Sequence, residues 1–295
     1  LRLAAAAAAA PALARASPTR STTMLTRPVP SSGEALPAVG LGTWQTFDVG
    51  EGGGERAPLR EVLRLYFDAG ARVLDSSPMY GRSEEVVGDL LRGTPWAKQA
   101  FVATKVWTQG KEEGLRQIAD SERKMGGRID LLQIHNLLDW QVHLPTLRDL
   151  KANGRIRYLG VTHYALGAFD DLERIVRRET VDFVQLPYSV QVREAEARLL
   201  PAARHAGVAV LVMRPFEAGT LLRSLHGKPL PPFAAELAAT SWAQLLLKWI
   251  LAHPAVTAAI PATANPAHAA DNLAAGRGPM PDEATRKRIA QAAGL

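Results

Sequence analysis

Four side chains that could together move a proton onto a carbonyl oxygen stand far apart in this chain, each at or just after the end of a short apolar run. Asp75 follows Arg72-Val73-Leu74, and Tyr80 lies in Ser77-Pro78-Met79-Tyr80-Gly81. Lys105 closes Phe101-Val102-Ala103-Thr104, and His135 closes Asp130-Leu131-Leu132-Gln133-Ile134. A free phenol has a pKa of about 10 and is a poor proton donor or acceptor at neutral pH. A nearby ammonium lowers that value, and a carboxylate paired with the ammonium holds it in place. Lys105 and Asp75 supply those parts, while a neutral imidazole at His135 could hold a carbonyl for Tyr80 to protonate. None of the four can deliver a hydride, so a reduction needs a nicotinamide cofactor.

Residues at strand ends converge only if their strands lie side by side in one parallel sheet. From Pro37 onward, short apolar runs alternate with longer segments of helical spacing. Strands are expected over Ala38 to Leu41, Val73 to Asp75, Phe101 to Lys105 and Leu131 to His135. Four more are expected over Tyr158 to Val161, Phe183 to Leu186, Val208 to Met213 and Ala258 to Ile260. Between them, Leu59, Val62, Leu63, Tyr66 and Phe67 form one helical stripe, and Leu172, Ile175 and Val176 another. Repeated β-then-α units imply parallel strands with right-handed crossovers. Eight such units close a (β/α)8 TIM barrel, an α/β fold of about 250 residues whose active site lies at the C-terminal face. Asp75, Lys105 and His135 then share one mouth, with Tyr80 one short loop beyond.

The competing fold, a doubly wound dinucleotide-binding sheet, needs a Gly-x-Gly-x-x-Gly turn after its first strand. The only glycine cluster, Gly50 to Gly54, follows no convincing strand and carries Glu51 where a pyrophosphate needs a positive environment, so it is expected to be a flexible loop. No His-Glu-x-x-His zinc motif, P-loop or Gly-x-Ser-x-Gly elbow occurs, and no metal site is expected.

A hydrophobic fraction of 47% with 22% charged residues allows a sizeable core. The net charge of +6 is concentrated at the start: Arg2, Arg15, Arg20 and Arg27 precede the first acid, Glu34. Without these four, the 35 basic residues fall to 31 against 29 acidic ones, so no nucleic-acid partner is expected. The absence of cysteine excludes disulfides, thiolate metal ligands and a cysteine nucleophile.

The first 33 residues read as a separate segment, with the barrel over 34–295. Leu3 to Ala14 is apolar but too short to span a bilayer, with Arg2 before it and small residues such as Ala12-Leu13-Ala14 at its end. It is expected to be the remnant of an export signal of twin-arginine type, which places the protein in the periplasm or otherwise outside the cell. An alanine-rich tail on a cytoplasmic protein, or a start at Met24, is the alternative. Ser17 to Gly33, rich in Ser, Thr and Pro, reads as a disordered linker. The Leu245 to Ile250 run is expected in the core rather than in a membrane, and His143, His205, His226 and His253 are given no role.

Six segments taken in order resemble the aldo-keto reductase family over about Leu36 to Asn272. The first three are Val39-Gly40-Leu41-Gly42-Thr43-Trp44, Leu74-Asp75-Ser76-Ser77-Pro78-Met79-Tyr80-Gly81 and Thr104-Lys105-Val106-Trp107. They are followed by Asp130-Leu131-Leu132-Gln133-Ile134-His135, Ile156-Arg157-Tyr158-Leu159-Gly160-Val161 and Ile260-Pro261 through Asp271-Asn272-Leu273. The resemblance implies a monomeric TIM barrel reducing a small-molecule carbonyl with NADP(H) or NAD(H), through a tetrad at Asp75, Tyr80, Lys105 and His135. Around the nicotinamide it implies Thr43, Trp44 and Asp75, with Thr162, His163 and Gln185 on the carboxamide and Tyr188 stacked on the ring. It places Met213, Arg214, Pro215 and Phe216 by the pyrophosphate, and Ile260, Thr263, Asn265, His268, Asp271 and Asn272 toward the adenosine. Trp44, Tyr80, Trp107 and His135 are expected to line the substrate pocket.

Departures from the family pattern fall mostly in the cofactor site. Thr162-His163 stands where many members have Ser-Asn, and Met213-Arg214-Pro215-Phe216 replaces a Tyr-Ser-Pro-Leu type run. Ala262 and His268 stand where the family usually has Lys and Arg for the 2′-phosphate, which weakens any preference for NADPH over NADH. Beyond Asn272 a helix is expected over Glu283 to Ala293, without the long C-terminal loop of many vertebrate members, so the pocket is expected to be open. Two other functions compete: a Schiff-base aldolase using Lys105, and a nucleotide-binding redox sensor or regulatory subunit with little turnover.

Overall fold

The computed structural model describes residues 23–295; the expected export-signal remnant lies outside the described residues. Among the described residues the strands in chain order are β1 (Thr26–Pro28), β2 (Ala35–Pro37), β3 (Leu41–Gly42), β4 (Val73–Asp75) and β5 (Phe101–Val106), then β6 (Leu131–His135), β7 (Tyr158–Thr162), β8 (Phe183–Pro187), β9 (Ala209–Met213) and β10 (Ala258–Ala259). The helices are α1 (Gly53–Asp68), α2 (Ser83–Leu91), α3 (Trp96–Gln99), α4 (Lys111–Lys124), α5 (Trp140–Ala152) and α6 (Phe169–Arg178), then α7 (Leu199–Ala206), α8 (Thr220–Ser224), α9 (Trp242–Leu251), α10 (Pro266–Ala274) and α11 (Glu283–Ala293).

Strands β3 to β10 pair in sequence order, every pair parallel, and two isolated parallel bridges, Val39 to Ala259 and Gly42 to Ala262, join the first to the last. The fold is the expected single-domain (β/α)8 barrel. At that seam the chains approach too closely for side chains. A Cβ on Gly42 would sit 2.8 Å from the Ile260 carbonyl oxygen, and one on Gly40 2.8 Å from the Val73 Cβ. Strand β3 keeps two residues instead of the expected Ala38 to Leu41, and β10 ends at Ala259. The six strands between them keep nearly the expected bounds.

Two-residue alternation divides each strand between two cores. Val73, Phe101, Ala103, Leu131, Tyr158, Phe183, Ala209, Leu211, Ala258 and Ile260 fill the barrel interior. Their neighbours Leu74, Val102, Leu132, Leu159, Val184 and Val210 pack under the helices. The stripes of α1 and α6 face inward as expected, with Leu59, Val62, Leu63, Tyr66 and Phe67 buried on α1 and Leu172, Ile175 and Val176 on α6. The Leu245 to Ile250 run is buried within α9, and no helix among the described residues is long and apolar enough to cross a membrane.

Two expectations about the N-terminal region need correction. Thr26 to Pro28, read as linker, is a strand paired antiparallel with Ala35 to Pro37. Val29 and Leu36 of this hairpin join the interior cluster, so it plugs the bottom of the barrel, with Glu34 and Ser32 accepting from or sharing a hydrogen bond with the Tyr158 hydroxyl. The ordered barrel domain therefore begins before residue 34. Gly53 and Gly54, read as part of a flexible loop, open α1, and the Glu55 carboxylate accepts from Gly50 N at 3.0 Å.

Helix α2 lies against the end of α4 with no room for a side chain at their contact. A Cβ on Gly88 would overlap the Lys124 carbonyl oxygen, a backbone atom that cannot rotate away. Gly88→Ala is expected to lower unfolding stability by roughly 2 to 4 kcal/mol, at or above the usual overpacking range. Urea unfolding reads that loss directly.

Candidate active site

Asp75 ends β4, Lys105 lies near the end of β5 and His135 ends β6, all at inward-facing positions above the packed interior. The Lys105 ammonium is fully buried, donating to Asp75 Oδ2 at 2.7 Å and to the Ser76 carbonyl oxygen at 2.6 Å. Tyr80 reaches over from the following loop, placing its ring centroid 4.9 Å from Lys105 Nζ and 5.8 Å from the His135 ring in an edge-on arrangement. The four residues expected to converge are thus together at one mouth.

Sequence reasoning missed Gln133 and assigned Gln185 only to the carboxamide, whereas both hold Asp75. Gln133 Nε2 donates to Asp75 Oδ1 at 3.0 Å and Gln185 Nε2 to the same oxygen at 2.9 Å, so the carboxylate receives two amides on one side and an ammonium on the other. Gln133 is two residues before His135 on the same inward face, a parity visible in the sequence. Burial alone would push Lys105 down, but Asp75 and Tyr80 beside it leave the ammonium above its ordinary value. Tyr80 runs against expectation. Burial pushes its phenol up, and Lys105 only partly offsets this while Asp75 adds to it. The phenol is therefore held protonated, as a proton donor must be.

His135 is pushed down to about 3, by burial first and then by Lys105 and His163. Its ring is neutral at pH 7. A base whose folded pKa is depressed contributes stability that is complete above its unfolded value of 6.5 and is lost as pH falls toward the folded value. Between pH 7.5 and about pH 4.5 the wild type should lose about 2 to 3 kcal/mol more unfolding stability than His135→Asn. Urea titrations of both proteins at the two pH values check this.

At the remaining positions the structure divides the expected residues. Trp44 and Trp107 are both exposed at the mouth, with Trp107 6.3 Å from the His135 ring. Gln117 clamps the Trp107 backbone by accepting from its N–H at 2.6 Å and donating to its carbonyl at 3.2 Å. Thr162 donates to Gln185 Oε1 at 3.3 Å, and His163 beside it is half-buried with its ring stacked on Tyr164. The Ala165 N–H donates to His163 Nδ1 at 3.0 Å, leaving Nε2–H as the donor of that neutral ring. Thr43 is fully buried, and its hydroxyl faces Asp75 O and Ser76 Oγ, tying β3 to β4 rather than opening on the mouth.

Tyr188 is misplaced by the family carry-over. Gln185 faces inward, so the residue three further on faces outward, and Tyr188 is fully buried under the helices. Its ring packs on Trp249 and His253, and its hydroxyl donates to Glu196 while Arg286 of α11 donates to it at 2.6 Å. Stacking on a nicotinamide at the mouth is excluded by this position. Asp271 is likewise turned to α9, where Ser241 Oγ and Gln244 Nε2 donate to it at 2.6 Å each. Asn272 is buried beside Tyr66 of α1.

The strip from β9 to α10 remains for a dinucleotide. Met213 is half-buried at the end of β9, followed by exposed Arg214 with φ 54, buried Pro215 and half-buried Phe216. Ile260 turns into the barrel, Thr263 Oγ1 accepts from Asn265 N at 3.0 Å, and Asn265 Oδ1 caps α10 by accepting from Ala267 N at 2.8 Å. His268 is exposed on the first turn of α10, whose positive end suits an anionic group. In the loop after Phe216, Glu217 sets one carboxylate oxygen 3.9 Å from the Arg214 guanidinium, while its Oε1 is enclosed without a hydrogen-bond partner among the described residues. The inward polar residues and the α10 terminus fit a nicotinamide dinucleotide, while Ala262 and exposed His268 supply no fixed cation for an additional phosphate.

Residues 38–290 match the model of the aldo/keto reductase family, and the chain belongs to it. The methylglyoxal reductase YeaE of Escherichia coli is 30% identical over 251 residues, covering 81% of this chain and 85% of that protein. An NADH-specific methylglyoxal reductase of the same organism is 28% identical over 233 residues, covering 66% of this chain and 68% of that one. An aldo-keto reductase from Klebsiella pneumoniae, crystallised in complex with NADPH, shares the fold with a TM-score of 0.74 at 26% identity, covering 91% of this chain and 95% of that one.

Proposed function

We propose that the protein reduces an aldehyde or ketone to the alcohol, with NADPH or NADH as the hydride source and Tyr80 as the acid. The observation that carries this reading is a phenol whose ring centroid lies 4.9 Å from a buried ammonium, itself anchored 2.7 Å from a carboxylate. When bound, the reduced nicotinamide supplies a hydride to the carbonyl carbon. Thr162, His163 and Gln185 would hold its carboxamide at the ends of β7 and β8. His135 orients the carbonyl oxygen by hydrogen bond, and Tyr80 delivers a proton to that oxygen as it gains charge. Lys105 stabilises the phenolate left behind, and Asp75 with its two glutamines keeps Lys105 in place.

The same geometry disfavours a Schiff-base aldolase. A nucleophilic lysine must lose its proton, whereas Lys105 is held charged by two close acceptors and is fully enclosed. The mouth is open and aromatic, with Trp44, Trp107 and Tyr164 exposed around it. Apolar and aromatic aldehydes therefore fit it, with 2-oxoaldehydes such as methylglyoxal added on the strength of the relatives' names. Carbonyl-dependent oxidation of NADPH or NADH by the purified protein tests the proposal, and no oxidation across aliphatic, aromatic and 2-oxo aldehydes would refute it. An exported location is part of the reading, supported by the apolar run Leu3 to Ala14. Recovery of the native protein from the cytoplasm with that segment intact would contradict it.

A further inference from the structure

Ser77 is enclosed immediately beside His135 and takes no part in the proton-transfer scheme above. Its Oγ lies 2.9 Å from His135 Nδ1 and accepts from the Met79 N–H at 3.2 Å. No part of Ser77 is exposed to solvent. A serine hydroxyl has one hydrogen to give, and a neutral imidazole has one N–H and one acceptor nitrogen. If His135 carried its proton on Nδ1, it would donate to Ser77. The serine oxygen would then accept twice, and its own hydrogen would have no acceptor in an enclosed position. If Ser77 donates instead, Nδ1 accepts, the Met79 N–H is still accepted, and every group is satisfied. Buried polar groups are overwhelmingly paired, which selects the second arrangement.

The consequence falls on the other nitrogen. Among the described residues, Nε2 of His135 makes no hydrogen bond within the protein and is not one of its enclosed unpartnered atoms, so it opens on the mouth between Tyr80 and Trp107. With Nδ1 occupied as an acceptor, Nε2 carries the hydrogen and presents a donor to a carbonyl oxygen. The opposite tautomer would aim a lone pair at that oxygen.

We propose that Ser77 is a positioning residue that fixes the Nε2–H tautomer of His135 and so makes it a carbonyl donor. The tautomer assignment stands on the hydrogen bonds alone; its catalytic consequence rests on the carbonyl-reductase reading. The identity of the residue matters because alanine at this position would fit the space and leave Nδ1 with nothing to accept from.

Nitrogen NMR of protein labelled in histidine reads the tautomer without any substrate. The wild type should show a protonated Nε2 and an unprotonated, hydrogen-bonded Nδ1 at His135, assigned by the loss of those signals in His135→Asn. Ser77→Ala should shift His135 toward a mixture of tautomers and lower kcat/KM for the carbonyl by about 3- to 10-fold, the worth of one neutral hydrogen bond, with nucleotide affinity unchanged. Ser77→Thr, which keeps the hydroxyl, should retain the wild-type tautomer. A wild-type spectrum with the proton on Nδ1, or a Ser77→Ala protein whose tautomer and kcat/KM match the wild type, would overturn the proposal. Absence of any turnover in the wild type with the expected tautomer present would instead count against the reductase reading alone.

Discussion

Tyr80→Phe is expected to lower kcat for carbonyl reduction by roughly 100- to 10,000-fold, the usual worth of a positioned acid, while leaving the fold and the affinity for nucleotide intact. Among the described residues, the phenol is the group at the mouth that is both held protonated and next to an ammonium able to take over its charge. His135 cannot replace it, because a ring pushed down to about 3 has no second proton to give at neutral pH. The substitution removes one oxygen from a half-buried ring and leaves its packing on His135 in place. Steady-state kinetics and nucleotide binding measured on the same preparation separate loss of chemistry from loss of cofactor. A protein that works as a nucleotide sensor would lose none of its output in this variant.

Lys105→Met should damage stability as well as activity. It removes the ammonium from a pair in which both members are almost wholly enclosed, and it leaves the Asp75 carboxylate with only the Gln133 and Gln185 amides. Breaking a buried pair from one side costs roughly 3 to 5 kcal/mol, because the remaining charge has lost both water and its partner. The two amides hold the loss toward the lower end of that range. Replacing both members, in Lys105→Met with Asp75→Leu, should recover part of the stability but none of the activity, since no charge is then stranded. Denaturant unfolding of the three proteins tests this, and a single-variant loss under about 1 kcal/mol would mean that the pair behaves like a solvent-screened one.

Much of the barrel could be read from the chain because its strands are apolar runs bounded by chemistry-bearing residues. Asp75, Lys105 and His135 lie at inward positions of adjacent strands, so convergence followed once the sheet was taken as parallel. What escaped was decided by contacts remote in sequence. The hairpin of Thr26 to Pro28 looks like linker by composition, and only its pairing with Ala35 to Pro37 and the burial of Val29 make it a plug. Asp271 is claimed by Ser241 and Gln244 some thirty residues earlier, which no local pattern announces. The Tyr188 placement was within reach, because counting two-residue alternation from Gln185 puts it on the outer face. Gln133 was within reach by the same count from His135.

The central claim, that this mouth transfers a hydride to a carbonyl with Tyr80 supplying the proton, is tested most directly by following the hydride. Reduced nicotinamide dinucleotide carrying deuterium at the transferable position should leave that deuterium on the carbinol carbon of the alcohol formed by the wild type, and Tyr80→Phe should form almost none under the same conditions. Alcohol without deuterium, equal transfer by Tyr80→Phe, or borohydride-trapped substrate linked to Lys105 would contradict it.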